Sequence, residues 1–382
     1  MEFRKFGKTD KKVSVITLGG MRYLNGWVEP RDETPNDSLL HCQQTVEKAL
    51  EMGINLIETA YGYVKSENIY GKVLNDILKL KRDSYYLMTK GNPGTAEGTR
   101  KMVDEQLKAL KTDYFDFYAW HGINNQEQFD IACKKGGPVE ELLKLKEEGI
   151  IKHIGFSTHG PVEIIIKAIE SDLFEFVNLH YYYFYQRNKG AIDLAQSKDM
   201  GVFIISPNDK GGQLSTPPQK LIDLTAPLTP VQWNARFCLS NPAVHTLSFG
   251  LPVTCSFDEL DGLFPVSVPL SPEDSVIKQG MDSQLLLDLY SGFDGYSMSK
   301  DPSKINIPEI LRFRTLLKCY DLKGFAQYRY NMFEEDEHWF PGSFPTDEKL
   351  HMIDLSKCPE HIPLIKMIRE THKELYRPVP KK

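Results

Sequence analysis

The sequence predicts an α/β protein: a (β/α)8 TIM barrel with a mainly helical C-terminal extension. Three observations carry that expectation. Short runs rich in β-branched and aromatic residues alternate with longer stretches of helical period over the first two thirds of the chain. The alternation yields eight strand candidates in series. The glycine fingerprint that a doubly wound dinucleotide-binding sheet carries after an early strand is missing, since the nearest candidate, Gly19-Gly20-Met21-Arg22, lacks the later glycine. Eight strand–helix units without that fingerprint favour closure into a barrel.

In chain order, strands are expected at 13–19, 55–59, 85–90, 114–121, 151–157, 176–181, 202–206 and 246–250. Helices are expected between them at 38–52, 66–78, 98–110, 138–148, 161–171, 188–198 and 227–239. Residues 1–262 thus form the barrel. Beyond them the alternation stops, and residues 263–382 read as a Pro-punctuated extension. Helices are expected there at 271–289, 308–320 and 363–376, around an aromatic stretch at 325–344, with a frayed end at 378–382.

Composition bounds the function. Of the 382 residues, 41 % are hydrophobic and 26 % charged, which supports a large buried core and excludes disorder as the main state. Lys+Arg number 46 and Asp+Glu 52, a net charge of -6 with no basic block, so nucleic acid is not an expected partner. Apolar runs fall well short of the ~18 residues a membrane helix needs. The charged start, Met1-Glu-Phe-Arg-Lys-Phe-Gly-Lys, lacks the apolar core of a secretory leader, so a cytoplasmic location is expected. The six cysteines (42, 133, 238, 255, 319 and 358) form no Cys-x-x-Cys pair and read as scattered reduced thiols rather than a disulfide framework or metal cluster.

In a (β/α)8 barrel, chemistry sits at the C-terminal ends of the strands. Strand two ends in Glu58, with Tyr63 just beyond; strand three ends in Lys90 and strand four in His121. A tyrosine titrates at about 10 and is a poor acid at neutral pH. A buried ammonium beside it stabilises the phenolate, and a carboxylate fixes that ammonium. A histidine beside the phenol orients a carbonyl oxygen. The set makes a proton donor for a carbonyl becoming an alkoxide, and such a donor needs a hydride source, hence a nicotinamide cofactor. Singly, each residue has an ordinary alternative: Glu58 and Lys90 as a structural ion pair, Tyr63 as one of 18 tyrosines. Four suitable side chains at three consecutive strand ends favour function.

Four segments in order carry a family resemblance. They are Gly53-Ile-Asn-Leu-Ile-Glu-Thr-Ala-Tyr-Gly-Tyr63-Val-Lys-Ser-Glu67, Leu87-Met-Thr-Lys90, Asp113-Tyr-Phe-Asp-Phe-Tyr-Ala-Trp-His121 and Glu147-Glu-Gly-Ile-Ile-Lys-His-Ile-Gly-Phe-Ser157. Over residues 1 to about 260 the chain resembles the aldo-keto reductases. The resemblance implies that Tyr63 is the general acid, Lys90 lowers its pKa, His121 orients the substrate carbonyl, and Glu58 stands where the family usually has Asp. It also implies NADP as cofactor, with NAD the other form. Ser157, Thr158 and Asn178 would hold the carboxamide, with Thr158 where Asn is common and Asn178 where Gln is common. Ser206 and Pro207 follow Ile205 where the family stacks an aromatic ring. Asn208, Lys210 and Gly211 would meet the pyrophosphate, and Gly20, Met21, Ser248 and Gly250 complete the expected cofactor set. Residues 248–259 contain none of the Lys or Arg that usually meets a 2′-phosphate. Met21, Tyr23, Trp27, Tyr61, Trp120 and Tyr182 are expected around an apolar carbonyl substrate.

Further segments, among them Gly155-Phe-Ser-Thr-His159 and Lys304-Ile-Asn-Ile-Pro-Glu-Ile-Leu-Arg312, resemble the predicted oxidoreductases of that family with a C-terminal ferredoxin-like extension. The residues before Ile305, Ser-Gly-Phe-Asp-Gly-Tyr-Ser-Met-Ser, contain no Cys, whereas a four-iron cluster needs four thiolates. The extension is therefore expected to hold no iron–sulfur cluster and no metal. The expected function is NAD(P)H-dependent reduction of aldehyde or ketone carbonyls on small molecules, by a chain that family members suggest works as a monomer. The alternative, motivated by Glu58, the missing stacking ring and the altered tail, is a catalytically weak nicotinamide-binding sensor or partner-docking subunit.

Overall fold

The computed structural model describes residues 1–23, 29–253, 255–333 and 341–378. The chain divides into two compact units: Met1–Gly211 with Val231–Ser271, and Gly212–Pro230 with Pro272–Lys382.

The first unit is a closed barrel of eight parallel strands. A small antiparallel hairpin, β1 (Phe3–Lys5) and β2 (Lys12–Ser14), precedes it. The barrel strands are β3 (Ile16–Gly19), β4 (Leu56–Glu58), β5 (Tyr86–Gly91), β6 (Phe115–His121), β7 (Ile151–Ser157), β8 (Phe176–Leu179), β9 (Gly201–Ile204) and β10 (Thr246–Phe249), with β10 closing on β3. All eight expected strands are present. The run at 13–19 is split: β2 turns back on β1, and β3 enters the barrel after Val15. β2 runs into β3 with only Val15 between them, and no Gly or Pro within Val13-Ser-Val-Ile-Thr-Leu18 marks the break.

The seven expected helices are Asn36–Glu51, Ser66–Gly71, Ala96–Leu110, Pro138–Glu147, Val162–Glu170, Lys189–Ser197 and Pro230–Leu239. Ser66–Gly71 continues as a wider turn through Lys72–Ile77. Local chemistry sets the ends. Thr95 Oγ1 accepts the Gly98 N–H at 3.0 Å to start Ala96–Leu110, and left-handed Lys111 (φ 52°) stops it. Gln126–Cys133 and Gln219–Thr225 are additional helices. Both are short, and Asn125 caps the first through the Gln128 N–H at 2.9 Å.

Alternation along the strands sorts the barrel interior into two ends. Toward the N-terminal end, Phe6, Val13, Leu56, Met88, Phe117, Phe176 and Phe203 pack into one core cluster. Phe6 stands edge-on to Phe117 with centroids 5.3 Å apart. A Cβ at Gly155 would lie 2.5 Å from the Phe176 ring, so only glycine lets that ring fill the barrel. Two residues further along, Leu56 gives way to Glu58, Met88 to Lys90, Phe176 to Asn178 and Thr246 to Ser248.

The second unit is helical. It holds Gln219–Thr225, Pro272–Ser283, Ile307–Tyr320, Lys323–Tyr330, Asp347–His351 and Leu364–Leu375. Buried Arg314 on Ile307–Tyr320 donates to Asp288 at 2.8 Å and to Glu370 at 2.9 Å. The described part of the aromatic stretch clusters around Tyr330, with Phe333 at 5.3 Å and Phe344 at 5.6 Å between centroids. Tyr330 and His372 share a 2.6 Å hydrogen bond. No helix among the described residues is long and apolar enough to cross a membrane.

Candidate active site

The four strand-end side chains meet at the C-terminal end of the barrel. Glu58 and Lys90 are buried, at 3 % and 1 % exposure, and form an ion pair through Glu58 Oε1. Lys90 Nζ also donates to the Thr59 carbonyl at 2.7 Å. The Tyr63 hydroxyl donates to the same Glu58 oxygen at 3.4 Å. Lys90 Nζ stands 4.7 Å from the centroid of the Tyr63 ring, within cation–π range. His121 presents its ring edge-on to Tyr63, with centroids 6.0 Å apart.

Burial pushes the Lys90 ammonium well below its usual range, and the Glu58 carboxylate lies in contact with it. Burial, with the Lys90 and Lys210 charges nearby, pushes the His121 imidazole down to about 3. His121 is therefore neutral at physiological pH and keeps one ring N–H to donate. A Cβ on Gly62 would lie 3.9 Å from the His121 ring, at ordinary van der Waals distance, so the Gly62 backbone lies beside the imidazole.

The expected cofactor residues fall into three groups. In the first, the polar groups already have partners in the chain. Ser157 Oγ accepts the Gly122 N–H at 3.1 Å. Thr158 Oγ1 donates to the Ile123 carbonyl at 2.7 Å. The Gly20 N–H donates to the Glu58 carbonyl at 2.8 Å. The Ser248 hydroxyl donates to Glu58 Oε2 at 3.3 Å. In the second group, buried polar atoms have no partner among the described residues: Oδ1 of Asn178 (0 % exposed) and both amide atoms of Asn208 (2 % exposed). A buried amide costs free energy unless it is paired, so these atoms could exchange hydrogen bonds with a bound group. The third group is the turn after β9. Ser206 lies in the left-handed region (φ 48°) and accepts the Lys210 N–H at 3.0 Å, bringing Pro207, Asn208, Lys210 and Gly211 to the same end. Met21 lies just past β3 and Gly250 just past β10.

A relay of rings joins this region. Lys210 Nζ is 3.5 Å from His159 Nδ1, which is 2.6 Å from His180 Nε2. His180 Nδ1 is 2.5 Å from the Tyr182 hydroxyl, which also contacts the Ile205 carbonyl. Reading strand ends alone misses His159 and His180, because they sit in the loops just past β7 and β8. Of the expected substrate-facing aromatics, Tyr23 packs against Tyr70 and His41, and Trp120 Nε1 donates to the Pro93 carbonyl at 3.3 Å. Tyr61 lies beneath Arg31, whose guanidinium is 3.5 Å from the ring centroid. Trp27 falls outside the described residues. Among the described residues, no group of three or more His, Cys, Asp or Glu could hold a metal ion.

Residues 15–223 match the model of the aldo/keto reductase family. An uncharacterized oxidoreductase of Bacillus subtilis, YqkF, is 25 % identical over 223 residues, covering 55 % of this chain and 66 % of the relative. The L-galactose dehydrogenase of Arabidopsis thaliana is 30 % identical over 221 residues, covering 54 % of this chain and 65 % of the relative. The chain thus spans just under two thirds of the length of these curated relatives. The fold is shared with an aldo-keto reductase of Bacillus halodurans solved in its holo form, with a TM-score of 0.58 at 22 % identity over 73 % of this chain and 96 % of that one.

Proposed function

The chain belongs to the aldo/keto reductase family, and from that premise we propose that it is an oxidoreductase that reduces aldehyde or ketone carbonyls with a nicotinamide dinucleotide, Tyr63 acting as general acid. The observation that carries the reading is the convergence of Tyr63 and Lys90 on one carboxylate oxygen of Glu58, with the neutral His121 ring perpendicular to the Tyr63 ring.

When bound, a reduced nicotinamide supplies the hydride. The residues present fit such a group. The unpaired amide oxygen of Asn178 and the unpaired amide of Asn208 suit a carboxamide and polar linker, and Lys210 brings a cation to the phosphate side. NADP is proposed as the preferred form, with Lys210 as its charge partner. The His121 ring N–H donates to the substrate carbonyl oxygen and aligns it with Tyr63. The Tyr63 hydroxyl gives its proton to that oxygen as negative charge develops. Lys90, directed by Glu58, stabilises the phenolate left behind.

Fluorescence titration with NADPH and NADH, followed by a carbonyl substrate screen, tests the reading. Tight cofactor binding and turnover of at least one aldehyde or ketone are expected. Tight binding with no turnover across a broad panel would instead support a nicotinamide-binding sensor.

A further inference from the structure

Glu58 differs from the aspartate of its family by one methylene, and the structure uses the extra reach. Its Oε1 meets Lys90 and Tyr63. Its Oε2 extends the other way across the barrel mouth and accepts the Ser248 hydroxyl at 3.3 Å. Ser248 lies on β10, two strands from β4, with β3 between them. Side chains from alternate strands share a layer of a barrel interior, so these two residues are layer neighbours provided the strand between leaves room. That strand ends in Gly19, which pairs with Glu58 in the register of β3 and β4. A Cβ at Gly19 would lie 2.7 Å from Ser248 Oγ and 3.5 Å from Glu58 Oε2. The hydrogen bond therefore passes through the gap that this glycine leaves.

We propose that Ser248, acting through the gap at Gly19, is a positioning residue that anchors the second carboxylate oxygen of Glu58 and so aims the first at Lys90 and Tyr63. The inference rests on the reductase reading above. Glu58 is 3 % exposed, so water does not readily replace a lost donor, and a carboxylate without it turns about its side-chain torsions. In this role its effect reaches Lys90 and Tyr63 through Glu58. This also accounts for how a glutamate can occupy the place of an aspartate: the carboxylate is fixed at both oxygens instead of being held by a shorter stem.

The test is a double-mutant cycle of Ser248→Ala and Glu58→Asp, with Ser248→Thr as the conservative variant and Tyr63→Phe as a control. Ser248→Ala is expected to lower kcat about tenfold, the scale of one hydrogen bond to a charged group, with KM for cofactor and carbonyl within about twofold. Ser248→Thr keeps the hydroxyl and is expected to restore most of kcat. In the Glu58→Asp background the shortened carboxylate no longer reaches residue 248, so Ser248→Ala is expected to have no further effect. Unchanged kcat in Ser248→Ala, or the same loss in both backgrounds, overturns the proposal. If Tyr63→Phe loses turnover while Ser248→Ala keeps it, this inference alone falls. If the wild type turns over no carbonyl, or Tyr63→Phe keeps full turnover, the reductase reading falls and takes the inference with it.

Discussion

The two ends of the barrel are built from the same eight strands and differ in what those strands place inside. At the N-terminal end, Phe6, Phe117, Phe176 and Phe203 form a buried aromatic plug. At the C-terminal end, one pleat further along, Glu58, Lys90 and Asn178 bury charge and polar atoms, some of them unpaired. The first arrangement lowers the free energy of the folded chain through burial. The second raises it through desolvation and is held in place by the first. A two-residue step along a strand thus separates stability from chemistry.

Lys90→Met should break the comparison most severely. It leaves Glu58 as an uncompensated buried charge, at a cost of about 3–5 kcal/mol in urea unfolding, and it should also abolish turnover. Phe117→Ala opens a cavity in the plug and should cost about 4 kcal/mol, while turnover per folded molecule at low temperature stays near that of the wild type. Loss of turnover without loss of stability in Phe117→Ala would show that the ends are not separable in this way. Gly155→Ala forces a methyl group into the Phe176 ring and should cost about 2 kcal/mol by thermal unfolding, again with intact kinetics.

The smallest effect concerns pH. His245 stands edge-on to Phe6 and accepts the Val202 N–H on Nδ1 at 3.0 Å, so its proton sits on the other ring nitrogen. Burial, with Arg4 nearby, pushes it down to about 4. The unfolded chain takes up a proton at about 6.5 that the folded chain refuses until about 4, so stability falls as pH drops through that window. The contribution of His245 should reach about 2 kcal/mol at pH 4.5. A His245→Gln variant should flatten the dependence of the urea midpoint between pH 6.5 and 4.5, and an unchanged slope would show that other groups carry it.

The barrel is legible in the sequence because each strand is a β-branched or aromatic run bounded by turn residues, from the Val13 run to the Thr246 run. The β1–β2 hairpin is not, since β2 runs into β3 with only Val15 between them and no Gly or Pro marks the break. Glu58, Lys90 and His121 are legible because each closes its strand, and Tyr63 because it lies in the next loop. The contact between Glu58 and Ser248 is not legible. The two residues are 190 positions apart, and only barrel closure brings β10 beside β3. His159 and His180 are hidden for a related reason: their pairing depends on how two loops bend past the rim.

The most direct test of the account supplies the protein with reduced nicotinamide dinucleotide carrying two deuterium atoms at C4, together with an unlabelled ketone, and weighs the alcohol formed. The account predicts one deuterium on the carbinol carbon with the wild type and almost none with Tyr63→Phe, although the variant still binds the cofactor with near wild-type affinity. Absence of label from the wild-type product, or equal transfer by Tyr63→Phe, would contradict it.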